Sequence, residues 1–355
     1  MSGNYHIPVM LNECIEHLNI KKDGVYCDFT LGGGGHFSEI AKNLGENGTA
    51  IGIDRDLTAV NRMTTPSGDN TPATPSQKGN LQLREFVGVS SAKSIDNENS
   101  PSYEGVAGVL SPDGVVKCKI IIEHYPFSQF DEVLRKHNID KIDGILMDLG
   151  VSSHQFDEGE RGFSYRSDAK LDMRMNRGDL KTAADLINFE SESELTRILG
   201  DFGEVRNPQR MAKKIVSARK NKLLETTGEF VAVLNEEYGH LDNSVLSKIF
   251  QAFRIAVNGE LDELQNALEK SLDYLNTGGR IVVMSYHSLE DRIVKNFLRD
   301  NAQNCVCPRE LPKCVCGGNS AKIKLITKKS VEAKEKEILD NRRARSAKLR
   351  CGERV

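Results

Sequence analysis

A run of four consecutive glycines, Gly32 to Gly35, constrains this chain more than any other feature of its sequence. The run follows a short apolar segment, Val25 to Phe29, and precedes a segment whose apolar residues recur at helical spacing. This order predicts a strand, a tight loop and a helix. Because glycine has no Cβ atom, the backbone N–H groups of such a loop can approach a ligand closely at the N-terminus of the helix. We therefore expect a small polar ligand there.

Two acids accompany this loop as they do in nucleotide-binding sheets. Asp28 lies just before the glycines, and Asp54 ends a second predicted strand about 20 residues beyond the loop, where a carboxylate commonly binds ribose hydroxyls. A dinucleotide fits poorly, because Phe37 stands where its fingerprint has a third glycine and Asp28 would repel a pyrophosphate. S-adenosylmethionine has positive charge, no phosphate and a ribose. The pattern therefore favours S-adenosylmethionine as the cofactor. The alternative, that the glycine loop serves packing alone, is less consistent with the two acids that flank it.

Two further predicted strands bring more candidates to the same edge of the sheet. The first, Lys119 to Glu123, is followed by Phe127, and the second, Ile142 to Leu149, contains Asp148 near its end. Since ligands of open α/β sheets lie outside the carboxyl ends of the strands, these residues and the two acids should converge on one crevice. Phe127 can cover an adenine ring, although a core role is usual for an isolated phenylalanine. Asp148 is the best candidate to face the reacting atoms.

Composition and patterning indicate a soluble chain with two domains. The sequence has 355 residues and a net charge of −3, so any surface for nucleic acid must be local. No apolar run approaches the roughly 18 residues of a membrane span, which predicts no membrane association and a cytoplasmic protein. The α/β sheet domain is predicted over residues 1–154 and 258–355, with a loop-rich insertion at 62–118 that holds five of the ten prolines. Residues 155–257 predict an inserted, mostly helical domain for the substrate.

Three basic stretches suggest a nucleic-acid surface. The loop from Glu158 to Arg177 interleaves basic and aromatic residues, as suits an RNA strand with unstacked bases. A helix predicted from Pro208, capped by Asn207, carries most of a basic run that could equally be a solvated helix face. That run comprises Arg206, Arg210, Lys213, Lys214, Arg219, Lys220 and Lys222, and a tail cluster comprises Arg342, Arg343, Arg345, Lys348 and Arg350.

A serine–histidine motif and two cysteine pairs near the C-terminus have structural interpretations. Ser288 with Asp291 resembles a capping box, which predicts that Ser288 starts a helix. His287 lies at a strand end near the crevice, where it could act as a base, but a structural, hydrogen-bonded histidine is the favoured interpretation. Zinc sites usually have two to four residues inside each cysteine pair, whereas both pairs here have one, so we expect reduced loop cysteines and no metal. The pairs are Cys305 with Cys307 and Cys314 with Cys316.

Nine short motifs along the chain together carry a family resemblance. They are His6–Met10, Asp28–His36, Asp54–Asp56, Asp148–Ser153, Glu160–Ser164, Leu171–Met175, Phe250–Ile255, His287–Arg292 and Asn341–Ser346. With these motifs the chain resembles the RsmH (MraW) family, collinearly over nearly its whole length outside residues 62–118, and it departs from that family at His154 and Tyr286, where proline and phenylalanine are common. Such enzymes methylate the exocyclic N4 of a cytidine in 16S ribosomal RNA of the small ribosomal subunit, using S-adenosylmethionine.

The resemblance implies a Rossmann-like S-adenosylmethionine-dependent methyltransferase sheet and a set of site residues. Asp148 would be catalytic, and Phe163 or Tyr165 would stack on the target base, because the sequence lacks an aromatic residue directly after Asp148. A nicotinamide-dependent oxidoreductase and an RNA chaperone remain as alternatives, and a homodimer stays open. The cofactor is assigned to Gly34, Gly35, His36, Asp54, Phe127, Asp148 and Gln155.

Overall fold

The computed structural model describes residues 8–64, 86–90, 102–111, 114–151, 159–305, 307, 313 and 315–355. The chain divides into two compact units. The first comprises Met1–Gly150 with Glu263–Val355, and the second comprises Val151–Asp262. The helical domain predicted at 155–257 falls inside the second unit, while its assignment to substrate binding stays a prediction.

A ten-stranded sheet forms the framework of the first unit, in the order β3-β4-β5-β2-β1-β6-β7-β10-β8, with β9 paired to β10. Strands β5, β2, β1, β6 and β7 run parallel, so their carboxyl ends meet at one edge. The outer strands are antiparallel. This architecture confirms the predicted α/β class. The strands are β1 (Val25–Asp28), β2 (Thr49–Asp54), β3 (Phe86–Ser90), β4 (Ser102–Ser111), β5 (Gly114–His124), β6 (Ile142–Asp148), β7 (Leu275–Ser285), β8 (Ile323–Leu325), β9 (Val331–Glu332) and β10 (Lys348–Arg354).

Helices make up most of the remaining regular structure. Within the described chain, none of them has the length and apolar character that a bilayer crossing requires. Short 3₁₀ segments occur at Phe127–Gln129, Gly159–Arg161 and Arg342–Ser346, and a π-helical turn at Ile198–Phe202. The α-helices are α1 (Leu11–Leu18), α2 (Gly35–Asn43), α3 (Leu57–Thr64), α4 (Phe130–Lys136), α5 (Ala183–Phe189), α6 (Glu192–Arg197), α7 (Pro208–Arg219), α8 (Thr227–Tyr238), α9 (Asn243–Asn258), α10 (Glu260–Tyr274), α11 (Ser288–Asn301) and α12 (Glu335–Asp340).

Both faces of the central sheet are buried, which explains why its strands are nearly continuous apolar runs. Neighbouring residues point to opposite faces: Tyr26 belongs to one core cluster and Cys27 to the other. The first cluster is covered by α1 and α2, and the second by α4, α10 and α11. The second unit has a separate core around Phe230, which contacts Phe250 and Phe253 with ring centroids 6.0 and 5.4 Å apart.

One predicted boundary and one predicted cap differ from the structure. Strand β5 begins at Gly114, earlier than expected, because β4 folds back on it as a hairpin that extends the sheet. Helix α11 does begin at Ser288, but its N-cap is His287, whose side chain accepts a hydrogen bond from the N–H of Glu290. His287 is therefore the structural residue that was predicted.

Candidate cofactor and catalytic site

The glycine loop joins β1 to α2, as predicted. Gly34 is the N-cap of α2 with φ at 78°, a left-handed conformation that favours glycine. A Cβ atom on Gly34 would lie 2.5 Å from Sδ of Met63, so a side chain there would have to displace the flexible end of Met63 as well as adopt the strained φ. Gly35 opens the helix directly behind it. The loop is therefore a narrow, partly buried turn between the sheet edge and a helix N-terminus.

Asp54 ends β2 and holds this loop in place. Its carboxylate accepts hydrogen bonds from the backbone N–H of Gly32 and of Asp56, each at 2.7 Å. Burial raises the pKa of Asp54 to about 6, against the lowering effect of these two hydrogen bonds. A carboxylate offers about four acceptor positions, so two remain for a ligand. Asp54 can thus bind a pair of hydroxyls while it supports the loop.

Asp28 ends β1 and is almost fully buried. Its Oδ1 accepts a hydrogen bond from the backbone N–H of Thr30 at 3.0 Å. Its Oδ2 is buried without a hydrogen-bond partner among the described residues. Burial raises the pKa of Asp28 to about 6, and the nearby His36 opposes that rise. An acceptor atom left in this state is costly unless a ligand satisfies it.

Asp148 ends β6 and is fixed by two neighbours. The hydroxyl of Tyr286 donates to its Oδ1 at 2.6 Å, and its backbone N–H donates to Oγ1 of Thr30 at 2.7 Å. Its side chain remains 18% exposed. Burial raises the pKa of Asp148 to about 7, while the hydrogen bond from Tyr286 lowers it and the charge of Glu290 raises it further. The carboxyl is therefore partly ionised near neutral pH.

Sequence reasoning noted Tyr286 only as a departure from a common phenylalanine. The structure makes it a site residue, because it follows β7 directly, and β7 lies beside β6 in the sheet. The strand order could have predicted this role for Tyr286, because the first residue beyond one parallel strand can contact the last residue of the neighbouring strand. A phenylalanine at the position could not donate the hydrogen bond to Asp148.

His36, in the first turn of α2, contacts the same carboxyl. Its Nε2 lies 3.0 Å from the carbonyl oxygen of Val9, which can only accept, so Nε2 carries the hydrogen. Nδ1 then lies 3.7 Å from Oδ2 of Asp148. Burial lowers the pKa of His36, in spite of the nearby charge of Asp28. The imidazole is thus a neutral neighbour of Asp148.

Phe127 lies in the 3₁₀ turn just beyond β5. Its ring stacks on Phe29 with centroids 6.3 Å apart and an interplanar angle of 15°, and the residue is partly exposed. It therefore contributes to the core and also offers a ring surface at the sheet edge. Gln155, the remaining cofactor residue suggested by the resemblance, lies outside the described residues.

The glycine loop connects these candidates. It contacts Asp54 through Gly32, and it contacts both Asp28 and Asp148 through Thr30. The expectation that the strand ends converge on one crevice agrees with these contacts, although none of them identifies the ligand.

In the basic run around α7, four of the seven cations have protein partners. Arg219 donates to the carbonyl oxygens of Ile187 and Glu190, both at 2.6 Å, and so fixes the end of α5. Arg206, Lys213 and Lys220 are exposed. The remaining cations form ion pairs with acids of α8: Arg210 with Glu237 at 2.9 Å, Lys214 with Glu236 at 2.9 Å, and Lys222 with Glu229.

Two other RNA-binding expectations also change. In the tail cluster, Arg350 lies on β10 and forms a bidentate pair with Asp291 at 2.7 and 3.2 Å, which removes it from the candidates for phosphate binding. Phe163 is buried in the core of the second unit, beneath the guanidinium of Arg161. Tyr165 is partly exposed, so it remains the better candidate for stacking on a base.

Comparison with known proteins identifies the family. The sequence model of the MraW methylase family matches residues 3–70 and 113–355. The chain belongs to the MraW methylase family. It is accordingly a methyltransferase, an enzyme that uses a methyl donor. The family match leaves out residues 71–112, the middle of the insertion that the sequence predicts.

Three curated relatives are similar over nearly their whole length. The protein named Ribosomal RNA small subunit methyltransferase H from Caldicellulosiruptor saccharolyticus is 42% identical over 353 residues, 99% of each chain. The protein of the same name from Clostridioides difficile is 41% identical over 355 residues, again 99% of each. That from Fusobacterium nucleatum is 38% identical over 356 residues, which cover 100% of this chain and 98% of the relative.

Proposed function

We propose that this methylase transfers a methyl group from S-adenosylmethionine to the exocyclic N4 of a specific cytidine in 16S ribosomal RNA. The observation that carries the proposal is the carboxyl of Asp148, which lies at the end of a central parallel strand with a pKa of about 7 and one oxygen fixed by Tyr286. The names of the relatives support ribosomal RNA of the small subunit as the substrate. An enzyme with this substrate would work in the cytoplasm.

The residues of the glycine loop fit S-adenosylmethionine. Asp28 offers a buried acceptor oxygen, without a partner among the described residues, which suits a cationic ligand. Asp54 would bind the ribose hydroxyls and Phe127 the adenine, while Gly34, Gly35 and His36 would line the methionine end. Gln155 is assigned by the resemblance alone. When bound, the cofactor supplies a methyl group that its sulfonium makes electrophilic.

Asp148 would activate the amine of the substrate. The lone pair of a cytosine N4 is delocalised into the ring, so the amine gains positive charge as it attacks and needs an acceptor for its proton. Tyr286 holds Oδ1 of Asp148, which leaves Oδ2 for the amine. A carboxyl with a pKa of about 7 is ionised often enough at neutral pH to accept, and it binds the proton more firmly than an ordinary aspartate would.

The experiment that tests this function uses the full chain and S-adenosylmethionine with an isotopically labelled methyl group. Small ribosomal subunits from cells that lack the modification serve as substrate. We expect label in 16S RNA, and nucleoside mass spectrometry should find N4-methylcytidine. A methyl group on carbon 5 of the cytosine would contradict the amine chemistry. RNA binding without label would favour a chaperone.

A further inference from the structure

Three cysteines converge in the segment between α11 and β8, away from the residues assigned to methyl transfer. The Sγ atoms of Cys305, Cys307 and Cys316 all lie within 4.8 Å of one another. Those of Cys305 and Cys316 are 3.7 Å apart. Thiols that are scattered in a loop by chance have no reason to meet in this way.

Backbone hydrogen bonds close this segment at its base. The N–H of Ser320 donates to the carbonyl oxygen of Asn304 at 3.0 Å, and the N–H of Lys322 donates to that of Asn301 at 2.8 Å. The two ends of the loop are therefore hydrogen-bonded to each other, next to Cys305 in sequence. A group that bound the thiols would join the two sides of a loop whose ends are already paired.

The sulfur spacing distinguishes a metal from a disulfide. In a disulfide the sulfurs are about 2.05 Å apart. Around a tetrahedral Zn²⁺ with Zn–S bonds of about 2.3 Å, simple geometry places them about 3.8 Å apart. The separation of 3.7 Å between Cys305 and Cys316 agrees with the second arrangement.

Backbone groups also hold the thiols in place. The N–H of Val315 donates to Sγ of Cys307 at 3.3 Å, which fixes the orientation of that sulfur. Gly317 and Gly318, which follow Cys316 directly, both have left-handed φ values, 80° and 74°. They let the chain turn away tightly behind the last thiol.

We propose that Cys305, Cys307 and Cys316 bind one structural Zn²⁺. The sequence favoured no metal, because one residue inside each cysteine pair is fewer than zinc sites usually have. The convergence of the thiols outweighs that argument, since spacing along the chain matters only through the geometry that it permits.

Zinc suits the ligands better than other metals do. Thiolates are soft ligands that bind zinc strongly and calcium or magnesium weakly. An iron–sulfur cluster places inorganic sulfides and several irons between its cysteines, which holds their sulfurs further apart than a single ion does. The three thiolates come from the two sides of one loop and include none of the residues assigned to methyl transfer, so the role is structural. The ion would clamp the loop between α11 and β8.

Zinc content of the full chain tests the proposal. The protein is purified under reducing conditions from cells grown with added zinc, and its metals are measured by mass spectrometry after gel filtration. We expect one zinc per chain, lost in Cys305→Ser and in Cys316→Ser. The matched control is Cys118→Ser: this thiol is buried in the sheet core, where it donates to the carbonyl of Ala41, and a hydroxyl can do the same. The control should keep its zinc.

Cobalt gives a second readout that needs no enzyme activity. Co²⁺ bound in place of zinc should show thiolate charge-transfer bands and the intense visible bands of a tetrahedral site, and Cys307→Ser should weaken both. Reduced, folded protein without zinc would overturn the proposal. So would a Cys305–Cys316 disulfide in freshly purified protein, or iron together with inorganic sulfide. Each of these results is independent of whether the chain methylates RNA.

Discussion

The sheet edge and the helix α7 both concentrate charge, but they differ in what that charge contacts. At the edge, Asp28, Asp54 and Asp148 come from three adjacent strands, and burial raises the pKa of each. On α7, Arg210 and Lys214 are bound to acids of the neighbouring helix. The first region holds carboxyls that a ligand can still satisfy. In the second, acids of the same domain neutralise part of the charge.

The difference teaches that the density of charge along a sequence does not measure the charge available to a partner. Parallel strands bring the residues at their carboxyl ends to one edge, whatever their mutual repulsion costs. On the surface of packed helices, long charged side chains can adopt rotamers that bring opposite charges together, and the resulting ion pairs are weakly stabilising. Substitutions in the two regions should therefore affect different measurements.

The largest effect should follow from Asp148→Asn. The substitution keeps the size of the side chain and one acceptor oxygen, but it removes the group that takes the proton. With saturating cofactor and RNA, single-turnover methylation should fall by roughly 10²-fold or more. A near-normal rate under saturation would leave Asp148 as a binding residue, and the loss should then appear in cofactor affinity.

A smaller effect, on affinity, should follow from Asp54→Asn. Loss of charge-assisted hydrogen bonds to the ribose should weaken S-adenosylmethionine binding by roughly 1.5–3 kcal/mol, measured by calorimetry. Asp56→Asn is the control, because its side chain accepts from the N–H of Thr58 at the start of α3, a contact that asparagine can keep. Unchanged affinity in the folded Asp54 variant would contradict the ribose assignment.

Tyr286→Phe should move the pH dependence of the reaction rather than abolish it. The hydrogen bond from Tyr286 favours the ionised form of Asp148 and lowers its pKa, so its removal should raise that pKa. The rate, which rises as Asp148 ionises, should then rise at higher pH than in the wild type. Single-turnover rates between about pH 5.5 and 9 measure the shift. A uniform loss at every pH would indicate that Tyr286 acts only through packing.

The smallest effect should come from the basic run. Arg206, Lys213 and Lys220 are exposed, so replacing all three by alanine should reduce the slope of log affinity for RNA against log salt by up to about 2, at roughly 0.7 per phosphate contact of a single strand. Cofactor affinity should not change.

The matched control replaces the three paired cations instead. Because these already contact acids of α8, their loss should change the slope less. Equal slopes in both triple variants and in the wild type would make the whole run a solvated helix face. The substitutions of the control are Arg210→Ala, Lys214→Ala and Lys222→Ala.

Local patterns predicted the parts of the fold that local physics determines. Strand β2 ends at Asp54 as predicted, because a buried apolar run ends in an acid, and α7 begins at Pro208 as expected from the fixed φ of proline. The acids at the strand ends were found for the same reason. Contacts between segments that are distant in sequence could not be predicted from local patterns.

Three such contacts change the interpretation of the sequence. Tyr286 contacts Asp148 because β7 lies beside β6, and Arg350 contacts Asp291 because α11 begins just after β7, the strand that pairs with β10. The thiol of Cys305 approaches that of Cys316 across a closed loop. Each depends on a pairing of segments that no local periodicity encodes, so each had to come from the structure.

The discontinuity of the first unit also has a consequence for how the chain folds. Strands β6 and β7 are neighbours in the sheet, yet residues 149–274 separate them in sequence. Closing so long a flexible loop costs entropy and slows the pairing of the strands. The second unit is one continuous stretch with its own core, so it can form first and leave little flexible chain between β6 and β7. In that order of events, the inserted domain acts as a folding aid for the enzyme that contains it.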